Sequence, residues 1–75
     1  MKILITGGLG YIGTELCKTY FGSEHQITCI DKRFFSDRIS TLQRNNINFI
    51  QGDILDENLM KELVDDVDLV YHLAG

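Results

Sequence analysis

The sequence predicts a three-layer α/β/α domain built on a doubly wound parallel sheet, its four strands in the order 3-2-1-4. Three observations carry that prediction. Short apolar runs rich in β-branched residues alternate with stretches whose apolar residues recur at helical spacing, which gives a βαβαβαβ order. Each helical stretch is long enough to carry the chain back across a sheet, so successive strands run parallel through right-handed crossovers. Glycines cluster at the first strand-to-helix junction, where such folds bring backbone close to a ligand.

Lys2 to Thr6 is an apolar run stopped by Gly7-Gly8, as expected of a strand buried on both faces. Over 11–21 the apolar residues Ile12, Leu16 and Tyr20 recur every fourth position, predicting a helix that Gly22 ends. The β-branched segment 26–30 predicts a second strand closing at Asp31. After a loop, Ser36 or Asp37 is placed to cap a short helix with Ile39 and Leu42 on one side, ended by Asn45-Asn46. A third strand is predicted over 47–50. Asp56 then caps a helix whose Leu59, Met60, Leu63 and Val64 share a face, and 67–73 supplies the fourth strand. In the order 3-2-1-4 the first and fourth strands meet at the topological switch point, and ligands bind beyond strand C-termini there.

Composition narrows the function. At 75 residues, 44% apolar and 24% charged, the chain has a globular balance. Its net charge of -4 offers no footprint for a nucleic-acid backbone or an anionic membrane. No apolar run reaches the roughly 20 residues of a membrane span, and residues 1–30 lack the pattern of a signal peptide, so a cytoplasmic location is expected. Cys17 and Cys29 lie in apolar segments and read as small buried hydrophobes. His25 and His72 are too far from them in sequence to suggest a zinc set, and no metal is expected. Asp65, Asp66 and Asp68 read as a solvated turn.

Residues 6 to 13 read Thr-Gly-Gly-Leu-Gly-Tyr-Ile-Gly, a G-x-x-G-x-x-G pattern between strand and helix. Gly7 takes the turn out of the strand, Gly10 lets backbone approach a pyrophosphate, and Gly13 permits close helix packing. The helix that follows aims free N–H groups, those of Tyr11 and Ile12 among them, at the phosphates, with its dipole favouring their charge. Asp31 lies about 20 residues further on, where a carboxylate accepts from an adenosine ribose. That favours NAD over NADP, although Lys32 and Arg33 partly offset the repulsion of a 2′-phosphate. No Gly-Lys-Ser/Thr follows the turn, which argues against an NTPase.

Taken with Gly52-Asp53-Ile54-Leu55-Asp56 and His72-Leu73-Ala74-Gly75, these motifs resemble the N-terminal part of extended short-chain dehydrogenases/reductases. The nearest branch is that of the NAD-dependent nucleotide-sugar epimerases and dehydratases, typified by UDP-glucose 4-epimerase. The resemblance covers the whole chain and implies a Rossmann-type NAD-binding portion over 1–75, without the substrate domain. It implies adenine contacts from Asp53 (side chain) and Ile54 (mainly backbone), and a path for pyrophosphate and nicotinamide ribose along Leu73, Ala74 and Gly75. His72 receives no role and reads as a strand residue in packing. The implied parent chemistry is hydride transfer from a sugar C4 to NAD on a nucleotide-sugar substrate. The family's Tyr-x-x-x-Lys pair has no match: Tyr11 is followed four places on by Glu15, Tyr20 by Glu24 and Tyr71 by Gly75. No catalytic residue is therefore assigned, and this chain alone is expected to be inactive.

Two other readings remain open. One is a non-catalytic dinucleotide-binding or sensor module, separated from the first by whether Tyr-x-x-x-Lys follows downstream. The other is a chain that neither folds fully nor binds, self-associating through the open edge of the fourth strand. The sugar nucleotide, the reaction outcome and the oligomeric state are not set by these residues.

Overall fold

In the computed structural model, which describes residues 1–74, the apolar run at the start forms β1 (Lys2–Thr6). The chain continues through α1 (Tyr11–Thr19), β2 (Gln26–Asp31), α2 (Ser36–Arg44), β3 (Ile47–Gln51), α3 (Glu57–Val64) and β4 (Leu69–His72). The strands form one parallel sheet in the order β3-β2-β1-β4, as the alternation predicts. Register runs from Lys2 opposite Gln26 to Thr6 opposite Ile30, with His72 on the other side of Thr6.

Alternation along the strands sorts the side chains onto two faces. Ile3, Ile5, Ile27, Cys29 and Ile47 form one buried cluster with Leu9, with Cys17 of α1 and with Ile39 and Leu42 of α2. Both cysteines are free, buried thiols. Leu4, Thr6 and Ile30 are buried on the opposite face, part of which lies under α3. Leu59 of α3 reaches that face beside Ile30: a Cβ added at Gly52 would meet Leu59 Cδ2 at 2.4 Å and Ile30 Cδ1 at 3.4 Å. The three layers are thus in place, with two helices on one side and one on the other.

Several element ends differ from expectation, each for a local reason. α1 stops at Thr19 because the N–H groups of Tyr20 and Phe21 bond to the carbonyls of Cys17 and Lys18 at 3.0 and 3.2 Å, tightening the last turn. Gly22, at φ +77°, then completes the exit. α2 is capped by the backbone of Phe35, not by Ser36 or Asp37, which lie inside its first turn; the Ile39 N–H bonds to the Phe35 carbonyl at 3.0 Å. Asn46 ends it in the left-handed region at φ 61°. β4 begins at Leu69, two residues late, because the Val67 N–H bonds back to Val64 at 3.3 Å. The Asp56 carboxylate does cap α3, accepting from the Leu59 N–H at 3.1 Å, a cap worth about 1 kcal/mol. Val64 is the exception on that helix, exposed where a shared apolar face is predicted.

The acidic turn after α3 is exposed, as expected, and also fastens the start of β1. Asp66 pairs with the Lys2 ammonium, and Asp68 accepts from the Lys2 N–H at 2.8 Å. No helix among the described residues is long and apolar enough to cross a membrane.

Candidate functional site

Strand C-termini, the glycine turn and the turn after β3 converge on one cleft of about 630 Å³. That volume lies within the usual range for small-molecule sites. Its lining includes Gly7, Gly10, Tyr11, Ile12 and Gly13 from the glycine turn, Asp31 from the end of β2, Asp53 and Ile54 from the turn after β3, and Leu73 and Ala74 after β4. Every described residue in the expected binding set is therefore brought to one place. Gly75 lies outside the described residues.

The floor is made of backbone. Gly7 takes φ +70°, a conformation L side chains rarely adopt, and a Cβ there would lie 2.8 Å from the Ala74 N. At Gly13 a Cβ would meet the Gly7 carbonyl oxygen at 2.3 Å, so α1 packs directly on the turn. The Thr14 N–H bonds to the Gly10 carbonyl at 2.8 Å, which leaves the N–H groups of Tyr11, Ile12 and Gly13 without intrahelical partners. The first turn of α1 carries no acidic side chain to compete for them. This is a ready anion site of the kind a pyrophosphate occupies.

Thr6 holds the far wall, a role the sequence reading did not give it. Its buried hydroxyl accepts from the Leu73 and Ala74 N–H groups at 3.0 and 3.2 Å, tying the segment after β4 against the glycine turn. Its position as the last residue of β1 was the available signal. His72, expected to pack, is instead exposed, with Nδ1 3.3 Å from the Thr6 hydroxyl. The even register of β4 turns it to the α3 face, where α3 does not reach over it.

The rim is apolar and open. Tyr11 is 86% exposed, Ile12 68% and Leu55 81%. Three large side chains around a polar floor suit flat rings, which they would cover while the floor takes phosphate. Asp53 sits among them; its Oδ1 accepts from the Leu55 N–H at 3.0 Å, shaping the turn, while Oδ2 makes no bond among the described residues.

Asp31 differs most from the sequence picture. It is only 5% exposed, and both of its oxygens are engaged. Oδ1 accepts from the Arg33 N–H and Nε at 3.0 Å each, Oδ2 from the Leu9 N–H at 3.0 Å and from Arg33 Nη2 at 2.9 Å. Burial pushes the carboxyl upward, but the bonds from Arg33 and Leu9 outweigh it and hold the group below the usual carboxylate range. Arg33 thus belongs to the site. Arg38, outside the cleft lining, supports the glycine turn from below: its Nη1 donates to the Leu9 carbonyl at 2.7 Å. A basic residue shortly after a strand-ending Asp was the signal for Arg33.

Comparison with known proteins decides the family. The family model described as "NAD dependent epimerase/dehydratase family" matches residues 3–75. The chain belongs to that family. Among epimerase/dehydratase relatives, UDP-glucose 4-epimerase of Klebsiella pneumoniae is 37% identical over 82 aligned positions, covering 100% of this chain and 59% of that protein. A crystal structure of dTDP-glucose 4,6-dehydratase from Bacillus anthracis in complex with NAD superposes with a TM-score of 0.85 at 25% identity, over 100% of this chain and 27% of that one. A UDP-glucose 4-epimerase from Stenotrophomonas maltophila, solved with NAD and formylated UDP-arabinopyranose, gives 0.76 at 30% identity, over 100% and 24%. The chain therefore spans 59% of the first relative and about a quarter of the two solved chains.

Proposed function

We propose that this chain is the N-terminal, NAD-binding portion of a nucleotide-sugar epimerase or dehydratase. The observation that carries the reading is the single cleft in which a glycine floor, free helix N–H groups, two carboxylates and an apolar rim converge at the switch point of the sheet. The NAD named for two solved family members supports it. The residues fit the dinucleotide chemically: the floor leaves no Cβ in the path of a pyrophosphate, and the rim offers apolar cover to a ring.

In this reading Gly7, Gly10 and Gly13 form the cradle, and the N–H groups of Tyr11 and Ile12 bind phosphate. Asp31 serves the adenosine ribose, Asp53 and Ile54 the adenine, and Leu73, Ala74 and Gly75 the segment toward the nicotinamide. When bound, the dinucleotide supplies hydride acceptance and return at the sugar C4 of a nucleotide-sugar substrate. The chain's own share is to bind and orient it. Relatives named for epimerisation, dehydration and decarboxylation match this portion at 33 to 39% identity, so the match itself is common to all three outcomes.

Substitution of Gly10 tests the cradle. A Cβ there would lie 3.2 Å from Arg33 Nη2, a flexible side chain that can move away, and 3.3 Å from the Gly7 carbonyl oxygen, a backbone contact relieved by a shift of a few tenths of an ångström. Gly10→Val is expected to abolish NAD binding in calorimetry while leaving a cooperative melt. Unchanged affinity would remove the cradle assignment.

A further inference from the structure

An ionised carboxylate offers about four acceptor positions. All four on Asp31 are filled within the chain. Two of the donors are backbone N–H groups, of Leu9 and Arg33, fixed by the turns they belong to. The other two are Nε and Nη2 of a single guanidinium, the fork geometry in which Arg grips a carboxylate. A ribose 2′,3′-diol needs two acceptors, the number the guanidinium holds.

Position reinforces the count. The Arg33 side chain is 47% exposed while that of Asp31 is 4% exposed, so the guanidinium covers the carboxylate on its open side. Arg33 lines the cleft, and its Nη2 reaches to 3.2 Å from where a Gly10 Cβ would stand. The side chain thus bridges the two features that a nucleotide would span. In this same pose the Arg33 guanidinium carbon lies 5.8 Å from the centre of the Phe35 ring, which Arg38 approaches more closely, at 4.7 Å.

We propose that Arg33 is a self-ligand of the ribose subsite: its guanidinium holds the acceptors of Asp31 that a ribose diol requires, and it swings off before a dinucleotide seats. This rests on the NAD-binding reading above. It makes Arg33 a determinant of cofactor choice with opposite effects on two ligands. Toward NAD it is a competitor built into the chain. Toward NADP the displaced cation stays beside the added phosphate and offsets its repulsion by Asp31.

The test is calorimetric titration of the protein and of Arg33→Met with NAD and with NADP at fixed ionic strength. Loss of a cation by itself weakens an anionic ligand, so only relief of competition makes NAD bind more tightly. Arg33→Met is expected to tighten NAD about two- to fivefold, the scale of one exposed ion pair, and to weaken NADP. Arg33→Lys, a point charge without the fork, is expected to fall between. NAD affinity that is unchanged or weaker in Arg33→Met, with the unsubstituted protein binding NAD, would overturn the self-ligand and leave the NAD reading standing. An unsubstituted protein that binds no NAD would remove both.

Discussion

On one face of the sheet Ile3, Ile5, Ile27, Cys29 and Ile47 are sealed beneath α1 and α2, and Leu9, at the root of the glycine turn, is part of the same cluster. On the other, α3 has no fully buried residue, and Val70 of β4 remains 42% exposed. The cleft is shared between these two regions. Its proposed phosphate end, Gly7 to Gly13, stands on the sealed face; its proposed adenine end, Asp53 and Ile54, stands on a turn held by the Asp53 carboxylate, by a backbone bond from the Asp56 N–H to the Asp53 carbonyl at 3.0 Å and by the Asp56 helix cap. A pyrophosphate is the part of a dinucleotide that needs fixed donors, because its charge rewards preorganised N–H groups. A flat ring tolerates a softer wall. The difference between the faces therefore matches what each end of such a ligand demands.

The largest expected effect comes from Gly13, where α1 lies against the turn with no space for a Cβ. Gly13→Val would place carbon 2.3 Å from the Gly7 carbonyl oxygen and 2.7 Å from the Gly8 Cα, both backbone. The expected cost is about 3 kcal/mol or more, since neither neighbour can rotate away. For a domain of this size that lowers the melting temperature by more than about 12 °C, read by circular dichroism. A loss of only a few degrees would show that the sealed face yields as readily as the open one.

A substitution on the α3 face measures the other side of the comparison. Leu59 fills the space above Gly52 beside Ile30, but it is only half-buried. Leu59→Ala is expected to cost about 1 kcal/mol, against 2 to 5 for a fully buried leucine. A cost near 3 kcal/mol in urea unfolding would mean that α3 is anchored as firmly as α1.

The same contrast explains what could be read from the chain alone. The order of elements and the glycine turn were legible because they rest on patterns each segment carries by itself: apolar runs, fourth-residue spacing, glycines at a junction; strand order came from the fold class, and Asp53, Ile54, Leu73 and Ala74 came from the family resemblance. Element ends were less legible. α1 closes at Thr19 through backbone bonds that no side chain announces, and the Phe35 cap of α2 uses only a carbonyl, while Ser36 offers a hydroxyl that is not used. Gly8 was read only as part of the stop after the first strand, because the motif counts it as a variable position, yet a Cβ there would lie 1.9 Å from Cys29 Sγ. The engagement of Asp31 was invisible for a related reason. Its partners, Leu9 and Arg33, meet it only once the turn after β1 folds over the end of β2.

That engagement gives the smallest of these effects and the one most specific to the seam between turn and sheet. Asp31 binds the Leu9 N–H and so fastens the glycine turn to β2, and its carboxyl is held below its ordinary range by those bonds. A group whose folded pKa is depressed contributes stability that is complete above its unfolded value, about 3.9, and is lost as pH falls through the lower folded value. Asp31→Asn has no such titration. Its melting temperature is expected to lie below that of the unsubstituted protein by a constant margin from pH 7 to about pH 5, and the margin to close as the pH is lowered further. Two curves that stay parallel into strong acid would mean that the ionised carboxylate does not hold the turn. The sealed face would then owe its rigidity to apolar packing and close glycine contacts, without help from this ion pair.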